Sequence, residues 1–543
     1  MTTYDEERSS TDPAIPTRAG RREWIGLGVL ALACVLYAMD LTVLHLAVPK
    51  LSADLQPTSA ELLWIVDIYG FLVAGSLITM GTLGDRIGRR RLLMLGAAAF
   101  GVTSVFAAFS SSAGMLIATR ALMGVAGATL APSTLSLIFN MFHDPKQRSV
   151  AIGVWISAFS AGSAIGPVLG GVLLEYFWWG SVFLLALPVM ALLLVLGPRV
   201  LPEFRNPDAG RLDLRSAAMS LAAMLAVIYG LKEIAQDGAE LLPSLSILAG
   251  FFVGFVFLRR QRNLADPLID LRLFRALTFN VSLATNVFAI FIAVGYFLFV
   301  AQYLQLVLGL TPLQAGLWSL PSAMGFVVGS NLAPRFVHRF RPAFVLGAAL
   351  ALAAVGLVVL AQVGVATGVA VVVTASVLIS LALAPVFALT TELIVGSAPP
   401  ERAGAASGIA ETGAELGGAL GIAILGSIGT AVYRSELAMG LPAGMPGEAA
   451  AVARDTLGAA VGVAEQLPDA LGLPLLHIAR EAFVQGMHLV AVISATVAIA
   501  AAVMAVTLLR NVRAGSQSED HLEAAPAPPH AAAATQADVL AGD

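Results

Sequence analysis

Fourteen stretches of mostly apolar residues dominate this sequence of 543 residues. A helix needs about 20 such residues to cross the hydrocarbon core of a bilayer. We place the stretches at 25–48, 61–83, 92–110, 113–138, 150–174, 180–198, 215–231, 242–258, 278–301, 312–332, 343–362, 366–393, 403–431 and 483–508. The sequence therefore predicts an all-α integral membrane protein with fourteen transmembrane helices.

The composition excludes several other classes of protein. Apolar residues make up 58% of the chain and charged residues 12%, against about 45–50% and about 25% in soluble domains. The formal net charge of −4 argues against a nucleic-acid partner. A single cysteine, Cys34, excludes a disulfide framework and every multi-cysteine metal site. We expect no enzyme, no metal and no cofactor.

The basic residues give the expected orientation, because cytoplasmic segments of membrane proteins are enriched in lysine and arginine. With the N-terminus inside, 25 of the 31 basic residues fall on inside segments, five fall outside and Arg120 lies within a span. Both termini are therefore expected in the cytoplasm. The high ratio of arginine to lysine and the abundance of alanine favour a high-GC bacterial source, and hence the cytoplasmic membrane.

A faint internal repeat predicts how the chain is divided. Basic segments at 81–91 and 333–341 each lead into an apolar stretch that carries Leu-Gly-Ala-Ala. Repeated halves are typical of secondary transporters. The expected division is a cytoplasmic arm (1–24), a six-helix half (25–198), two linking transmembrane helices with cytoplasmic loops (199–277), a second six-helix half (278–508) and a disordered tail (509–543). The extracytoplasmic loop 432–482 forms either short amphipathic helices or a mobile insertion.

Three charged residues are predicted at similar depth within the membrane, where an ionisable side chain costs about 2.5–3.5 kcal/mol. Asp40 lies late in span 1, Asp67 early in span 2 and Arg120 early in span 4. At about 1.5 Å per residue, each lies roughly 10 Å below the outer surface. Arg120 either forms an ion pair with Asp40 or Asp67 that only fixes helix packing, or exchanges such a partner for a proton or a cationic ligand.

A second pair of acids, Glu411 and Glu415, lies nearer the middle of span 13. Their i, i+4 spacing places both on one face of a helix. They are either permanently ionised in a wet pore or poised for proton exchange, since two neighbouring carboxylates do not both ionise cheaply in a low dielectric. Negative charge beside apolar walls also suits a lipophilic cation. Glu392, at the inner end of span 12, is expected to be solvated.

Two glycine-rich segments are candidates for conformational roles. The turn after span 2 holds Asp85, which is expected to pair with an arginine or with the positive N-terminus of another helix, and so to latch the inner gate. Span 5 carries a run of glycines with Pro167, which favours close helix contact and bending. The residues concerned are Gly81, Asp85, Arg86, Gly88, Arg89, Gly162, Gly166, Pro167, Gly170 and Gly171.

Four motifs together resemble the major facilitator superfamily. Residues 81–91 resemble its loop signature, Gly162 to Gly171 resembles the antiporter signature, and Arg120 to Gly124 resembles the fourth-span motif with Met123 replacing the usual glutamine. Leu36 to Pro49 resembles the first-span motif of the fourteen-span drug:H⁺ antiporters. Asp67, Glu411 and Glu415 resemble the membrane acids of the quaternary-ammonium efflux pumps.

The resemblance implies a proton-driven multidrug antiporter that exports lipophilic cations such as dyes, biocides and quaternary ammoniums. We expect the protein to be a monomer. Asp40, Arg120, Glu411 and Glu415 would couple protons, and Asp67, Glu411 and Glu415 would meet the substrate. Span 10 contains no acid, whereas some relatives use one there for divalent cations. The alternative is an exporter of an endogenous metabolite or lipid-like molecule on the same fold. A polytopic enzyme and a non-transporting sensor are disfavoured by the motifs.

Overall fold

The computed structural model describes residues 18–57, 59–205, 213–237, 240–264, 267–310, 312–337, 339–399, 402–442 and 444–512. All fourteen predicted spans are helical. Within these described residues, twelve helices are long and apolar enough to cross a membrane. The other two predicted spans form helices of 32 and 26 residues. The sequence prediction of an all-α membrane fold is confirmed.

The first half contains α1 to α8. Their bounds are α1 Arg21–Leu55, α2 Ser59–Ile87, α3 Arg89–Ala108, α4 Ala113–Gly127, α5 Leu130–Met141, α6 Pro145–Tyr176, α7 Ser181–Leu184 and α8 Ala186–Val200. Two predicted spans are interrupted, and in each case proline explains the break. Pro132 and Pro188 have no N–H to donate to the carbonyls of Ala128 and Leu184 four residues earlier.

The linking helices are α9 Leu214–Asp237 and α10 Leu241–Gln261. They pack against each other, and α9 also packs along α2. Phe71 and Ala74 of α2 and Ile228 of α9 form one buried apolar cluster at this contact. The two additional helices are therefore attached to the first half through α2.

The second half contains α11 to α19. Their bounds are α11 Leu277–Gln302, α12 Pro312–Val337, α13 Pro342–Leu360, α14 Val369–Gly396, α15 Ala403–Gly421, α16 Ser427–Gly440, α17 Gly447–Asp455, α18 Leu457–Gln466 and α19 Asp469–Leu508. Single π-helical turns follow α11 at Tyr303–Val307 and α15 at Ile422–Gly426.

The segment expected as loop 432–482 is largely helical. Helix α16 continues to Gly440 and α19 begins at Asp469, so the connection is shorter than expected and contains α17 and α18. The Tyr433 hydroxyl donates to the Ala453 carbonyl at 2.8 Å. Arg480 Nε donates to the Leu306 carbonyl at 3.0 Å. Of the two alternatives, short helices are the one observed. The expected arm 1–24 is described from residue 18, and the tail lies outside the described residues from 513 onward.

Candidate functional site

Arg120 of α4 forms a buried ion pair with Asp40 of α1. Arg120 Nη1 lies 3.0 Å from Asp40 Oδ2, and the exposed fractions of the two side chains are 2% and 12%. Arg120 also donates from Nε to the Ile65 carbonyl at 3.1 Å and from Nη2 to the Val66 carbonyl at 3.4 Å. The predicted pairing therefore occurs with Asp40. The side chain of Asp67 lies outside the described part of the chain.

A small cavity reaches the carboxylate of this pair. It is lined by Leu36, Met39, Asp40, Val43, Leu44, Val182, Phe183 and Ala186. Its size corresponds to about one water molecule. Asp40 is therefore the member of the ion pair that lines this small cavity.

Glu411 and Glu415 lie on one face of α15, as predicted, and both are partly buried. Helix α15 packs against α2 and α5 of the first half. These two acids therefore belong to a helix that lies at the boundary between the two halves.

The first half contains a polar cluster that the sequence did not predict. The Trp155 indole donates to Thr134 Oγ1 at 2.9 Å, and Cys34 Sγ lies 3.6 Å from the same oxygen. These residues come from α6, α5 and α1. Trp155 lies inside the predicted span 150–174 and not at its end, where tryptophan is usual. This position is the signal that could have indicated the cluster.

At the arginine-rich end of the helices, defined by Arg86 to Arg91, Asp85 has both of its expected partners. Arg89 donates to Asp85 Oδ1 from Nε at 2.9 Å and from Nη2 at 2.6 Å. Asp85 Oδ2 accepts from the backbone N–H of Ala405, in the first turn of α15, at 3.1 Å. One carboxylate therefore joins α2 and α3 to the positive N-terminus of a helix in the other half.

Glycines bring the two halves together at this end. A Cβ atom on Gly408 of α15 would lie 2.9 Å from the Leu77 carbonyl oxygen and 3.1 Å from Ile78 Cα. Gly81 and Gly404 face each other in the same way. Gly88 takes a positive φ of 109° in the turn between α2 and α3, which a side chain would strain. Backbone thus meets backbone where α2 packs against α15.

A second contact between the halves involves Glu392. The sequence predicted that Glu392 is solvated, and this prediction is wrong. Ser149 Oγ of α6 lies 2.9 Å and 2.8 Å from the two carboxyl oxygens of Glu392 in α14. Deeper in the membrane, the Ser157 and Ser330 hydroxyls are 2.7 Å apart, and Asn331 donates to Ser157 at 3.2 Å. Helices α6, α12 and α14 therefore close the arginine-rich end beside α2 and α15.

The glycine run of span 5 faces α1. A Cβ on Gly162 would meet the Val35 carbonyl, and one on Gly170 would lie 2.8 Å from Val43 Cγ1. Gly166 is buried, whereas a Cβ on Gly171 would meet nothing within 4 Å. Close packing accounts for the first two glycines. The expected bend is not observed as a break, because α6 continues to Tyr176; the side chain of Pro167 lies outside the described residues.

The connection after α10 also joins both halves at the arginine-rich end. Thr82 Oγ1 of α2 donates to the Leu268 carbonyl at 2.9 Å, and Arg402 Nη1 lies 2.8 Å from Asp270 Oδ2. Burial raises the pKa of Asp270, but hydrogen bonds from Arg272 and the charge of Arg402 outweigh it and leave the pKa below its ordinary value.

At the base of the linking helices, Arg260 Nη2 lies 2.7 Å from Asp213 Oδ2. The hydrogen bonds from Arg260 and Ser216 lower the pKa of Asp213 to about 2. This ion pair connects the start of α9 to the last turn of α10.

Comparison with known proteins decides the family. The model of the Major Facilitator Superfamily matches residues 30–422. The chain belongs to the Major Facilitator Superfamily. It is 43% identical over 486 residues to the multidrug efflux pump LfrA of Mycolicibacterium smegmatis, covering 90% of this chain and 96% of LfrA. It is 38% identical over 477 residues to the methyl viologen resistance protein SmvA of Salmonella typhimurium, covering 87% and 95%.

Two solved transporter structures have a similar fold. The human organic anion transporter MFSD10 matches with a TM-score of 0.54 at 17% identity, covering 88% of this chain and 99% of that one. A bacterial homologue of the lysosomal transporter Spinster, inward-facing and unoccupied, matches with a TM-score of 0.54 at 19% identity, covering 91% and 99%. At these identities the similarity concerns the fold alone. Like other superfamily members, the chain is a multi-pass membrane protein and not an enzyme.

Proposed function

We propose that this protein is a multidrug antiporter that exports lipophilic cations in exchange for protons by alternating access. The observation that carries the proposal is the set of carboxylates on membrane-spanning helices: Asp40 of α1, paired with Arg120 beside a small cavity, and Glu411 with Glu415 on one face of α15. Similarity to LfrA and SmvA over nearly the whole chain supports the same function. Methyl viologen, to which SmvA confers resistance according to its name, is itself a quaternary cation.

The proposed proton path uses Asp40, Arg120, Glu411 and Glu415, and the proposed substrate contacts are Asp67, Glu411 and Glu415. A positive charge beside a carboxylate favours its ionised form, so the carboxylate binds a proton more readily when the attraction of the arginine is reduced. Protonation removes a negative charge from the cavity and so weakens its hold on a cation. Entry of a proton from outside would then release the substrate outward.

We assign the arginine-rich end to the cytoplasmic side, because basic segments remain in the cytoplasm. The contacts of Asp85 with Ala405 and of Ser149 with Glu392 then close the cytoplasmic gate. The structure would correspond to an outward-facing state, and inward opening would break these contacts. Gly81, Arg86, Gly88 and Arg89 would serve this gate, and the glycines of α6 would serve its movement against α1.

We further propose that the protein is a monomer in the cytoplasmic membrane, with both termini in the cytoplasm. The proposed division is the arm 1–24, the halves 25–198 and 278–508, the linking helices 199–277 and the tail 509–543. Protons and lipophilic cations are the proposed ligands, with membrane lipid around the helices.

Export from loaded cells tests the function. Cells expressing the protein are loaded with ethidium, a monovalent cation, or with methyl viologen, a divalent one, and efflux is followed with and without a protonophore. We expect efflux that stops with the protonophore. If a correctly inserted protein exports neither cation, the proposal is contradicted. Efflux of ethidium alone would restrict the proposal to monovalent cations, as the lack of an acid in span 10 predicts.

A further inference from the structure

Arg120 is held by neutral groups as well as by its acid. The carboxylate of Asp40 accepts a hydrogen bond from one guanidinium nitrogen, while the other two nitrogens donate to the backbone carbonyls of Ile65 and Val66. Both carbonyls belong to α2, so these two hydrogen bonds do not depend on the charge on Asp40. Neutral partners of this kind remain when a proton neutralises the acid.

Two aromatic rings complete the surroundings of this guanidinium. Its central carbon lies 4.8 Å from the ring centroid of Tyr69 and 5.9 Å from that of Phe183. A cation within about 6 Å of a ring face is attracted to it, and more strongly when water is excluded. With its exposed fraction at 2%, Arg120 is in the range where such contacts matter, and Tyr69 is the nearer ring.

The ring of Tyr69, and not its hydroxyl, contacts Arg120. Tyr69 is fully buried, and its hydroxyl has no hydrogen-bond partner among the described residues. Gly124 and Gly127 of α4 make room for it: a Cβ on Gly124 would lie 2.6 Å from the Tyr69 carbonyl oxygen, and one on Gly127 would lie 3.0 Å from its hydroxyl. The close approach of α4 to α2 therefore seats the Arg120 guanidinium on this ring.

We propose that Tyr69 is a positioning residue for proton coupling: its ring holds Arg120 in place while Asp40 carries a proton. This inference rests on the proposed antiport function. The charged groups facing this site are Asp40 and Arg120 themselves and Glu415, whose charge also reaches Tyr69.

The ring matters most when Asp40 is neutral. The ion pair then no longer fixes the guanidinium, which keeps only the two α2 carbonyls and the aromatic rings as partners among the described contacts. A guanidinium that stays on the ring returns to Asp40 when the proton leaves, and each cycle then moves a proton. A guanidinium that leaves the ring pairs elsewhere, and proton movement is no longer tied to export of the cation.

Two variants of Tyr69 separate the ring from the hydroxyl, and a third variant is the control. Tyr69→Phe keeps the ring, Tyr69→Leu removes it, and Tyr176→Leu removes a tyrosine that is 73% exposed and serves as the matched control. The readouts are export of ethidium driven by an imposed pH gradient in proteoliposomes and binding of ethidium to the purified protein. Phe183→Leu, which removes the more distant ring, is a second test in case Tyr69→Leu does not fold.

We expect Tyr69→Phe and Tyr176→Leu to export within twofold of wild type. Tyr69→Leu is expected to lose at least tenfold in gradient-driven export while the Kd for ethidium changes less than threefold. Phe183→Leu is expected to lose about two- to threefold in export, also without loss of binding. The split between export and binding is what a purely structural role would not produce.

An equal loss in Tyr69→Phe and Tyr69→Leu would overturn the proposal, because the hydroxyl would then be the active part. Normal export by Tyr69→Leu would overturn it too, as would a parallel loss of binding. Should wild type export ethidium without any response to the pH gradient, the antiport function itself would fail, and the role of Tyr69 with it. Gradient-driven wild-type export with an unaffected Tyr69→Leu variant would remove the role of Tyr69 only.

Discussion

A single methyl group at Gly408 should shift the protein away from the cytoplasm-closed state. The three atoms nearest to a Cβ at this position are all backbone atoms of α2, at 2.9, 3.1 and 3.3 Å. Ordinary contact begins at 3.4 Å, so α15 and α2 must separate by about 0.5 Å. Overpacking of this kind costs about 1–3 kcal/mol. Because this cost arises only while the two helices touch, the ratio of open to closed molecules should rise by about 5- to 150-fold.

The matched control is Gly418→Ala in the same helix, where the nearest atoms are side-chain carbons at 3.6 and 3.7 Å. The gain in helix propensity from glycine to alanine is common to both variants and cancels. Spin labels at Arg91 and Phe340, both exposed at the cytoplasmic end, report the separation of the halves by pulsed electron paramagnetic resonance. We expect a longer-distance population in Gly408→Ala and a wild-type distribution in Gly418→Ala. Identical distributions in all three proteins would refute the proposed role of the close approach.

Two further predictions concern polar contacts at the same end. Ser149→Ala removes the described donor to Glu392 and should weaken the closed gate by about 0.5–1.5 kcal/mol. The same spin labels should show a smaller shift in the distance distribution than with Gly408→Ala. No shift would mean that this hydrogen bond does not hold the gate. The lowered pKa of Asp213 stabilises the folded protein above about pH 4, and this contribution is lost as the pH falls towards 2. Asp213→Asn should therefore lower the melting temperature of the detergent-solubilised protein at pH 7, by an amount equivalent to less than about 1 kcal/mol because the pair is partly exposed. The difference in melting temperature from wild type should disappear near pH 2. A difference that stays constant with pH would contradict the ion-pair explanation.

Much of the fold was predictable because hydropathy and charge act locally along the chain. Fourteen helices follow from apolar length. The depth of Asp40 and Arg120, counted at a fixed rise per residue, placed them within reach of each other. The two expected partners of Asp85 were also predictable, because a carboxylate beside arginines attracts both a guanidinium and a helix N-terminus.

The remaining features depend on contacts between residues far apart in the sequence. Ser149 and Glu392 are separated by 243 positions, and no local pattern pairs them, so Glu392 was wrongly expected in solvent. The ring of Tyr69 over Arg120 depends on how closely α4 approaches α2, which Gly124 determines. The break before Leu130 follows from Pro132, but the apolar run through it concealed the interruption.

The most direct test of proton-coupled export measures proton movement caused by the substrate. Purified protein is placed in vesicles that have an acidic interior and a trapped pH-sensitive dye, and ethidium is added outside. Exchange moves protons out as ethidium enters, so the interior should become more alkaline with wild type and not with Asp40→Asn. No alkalinisation with wild type, or an equal response from the Asp40→Asn variant, would contradict the proposed coupling through Asp40 and Arg120.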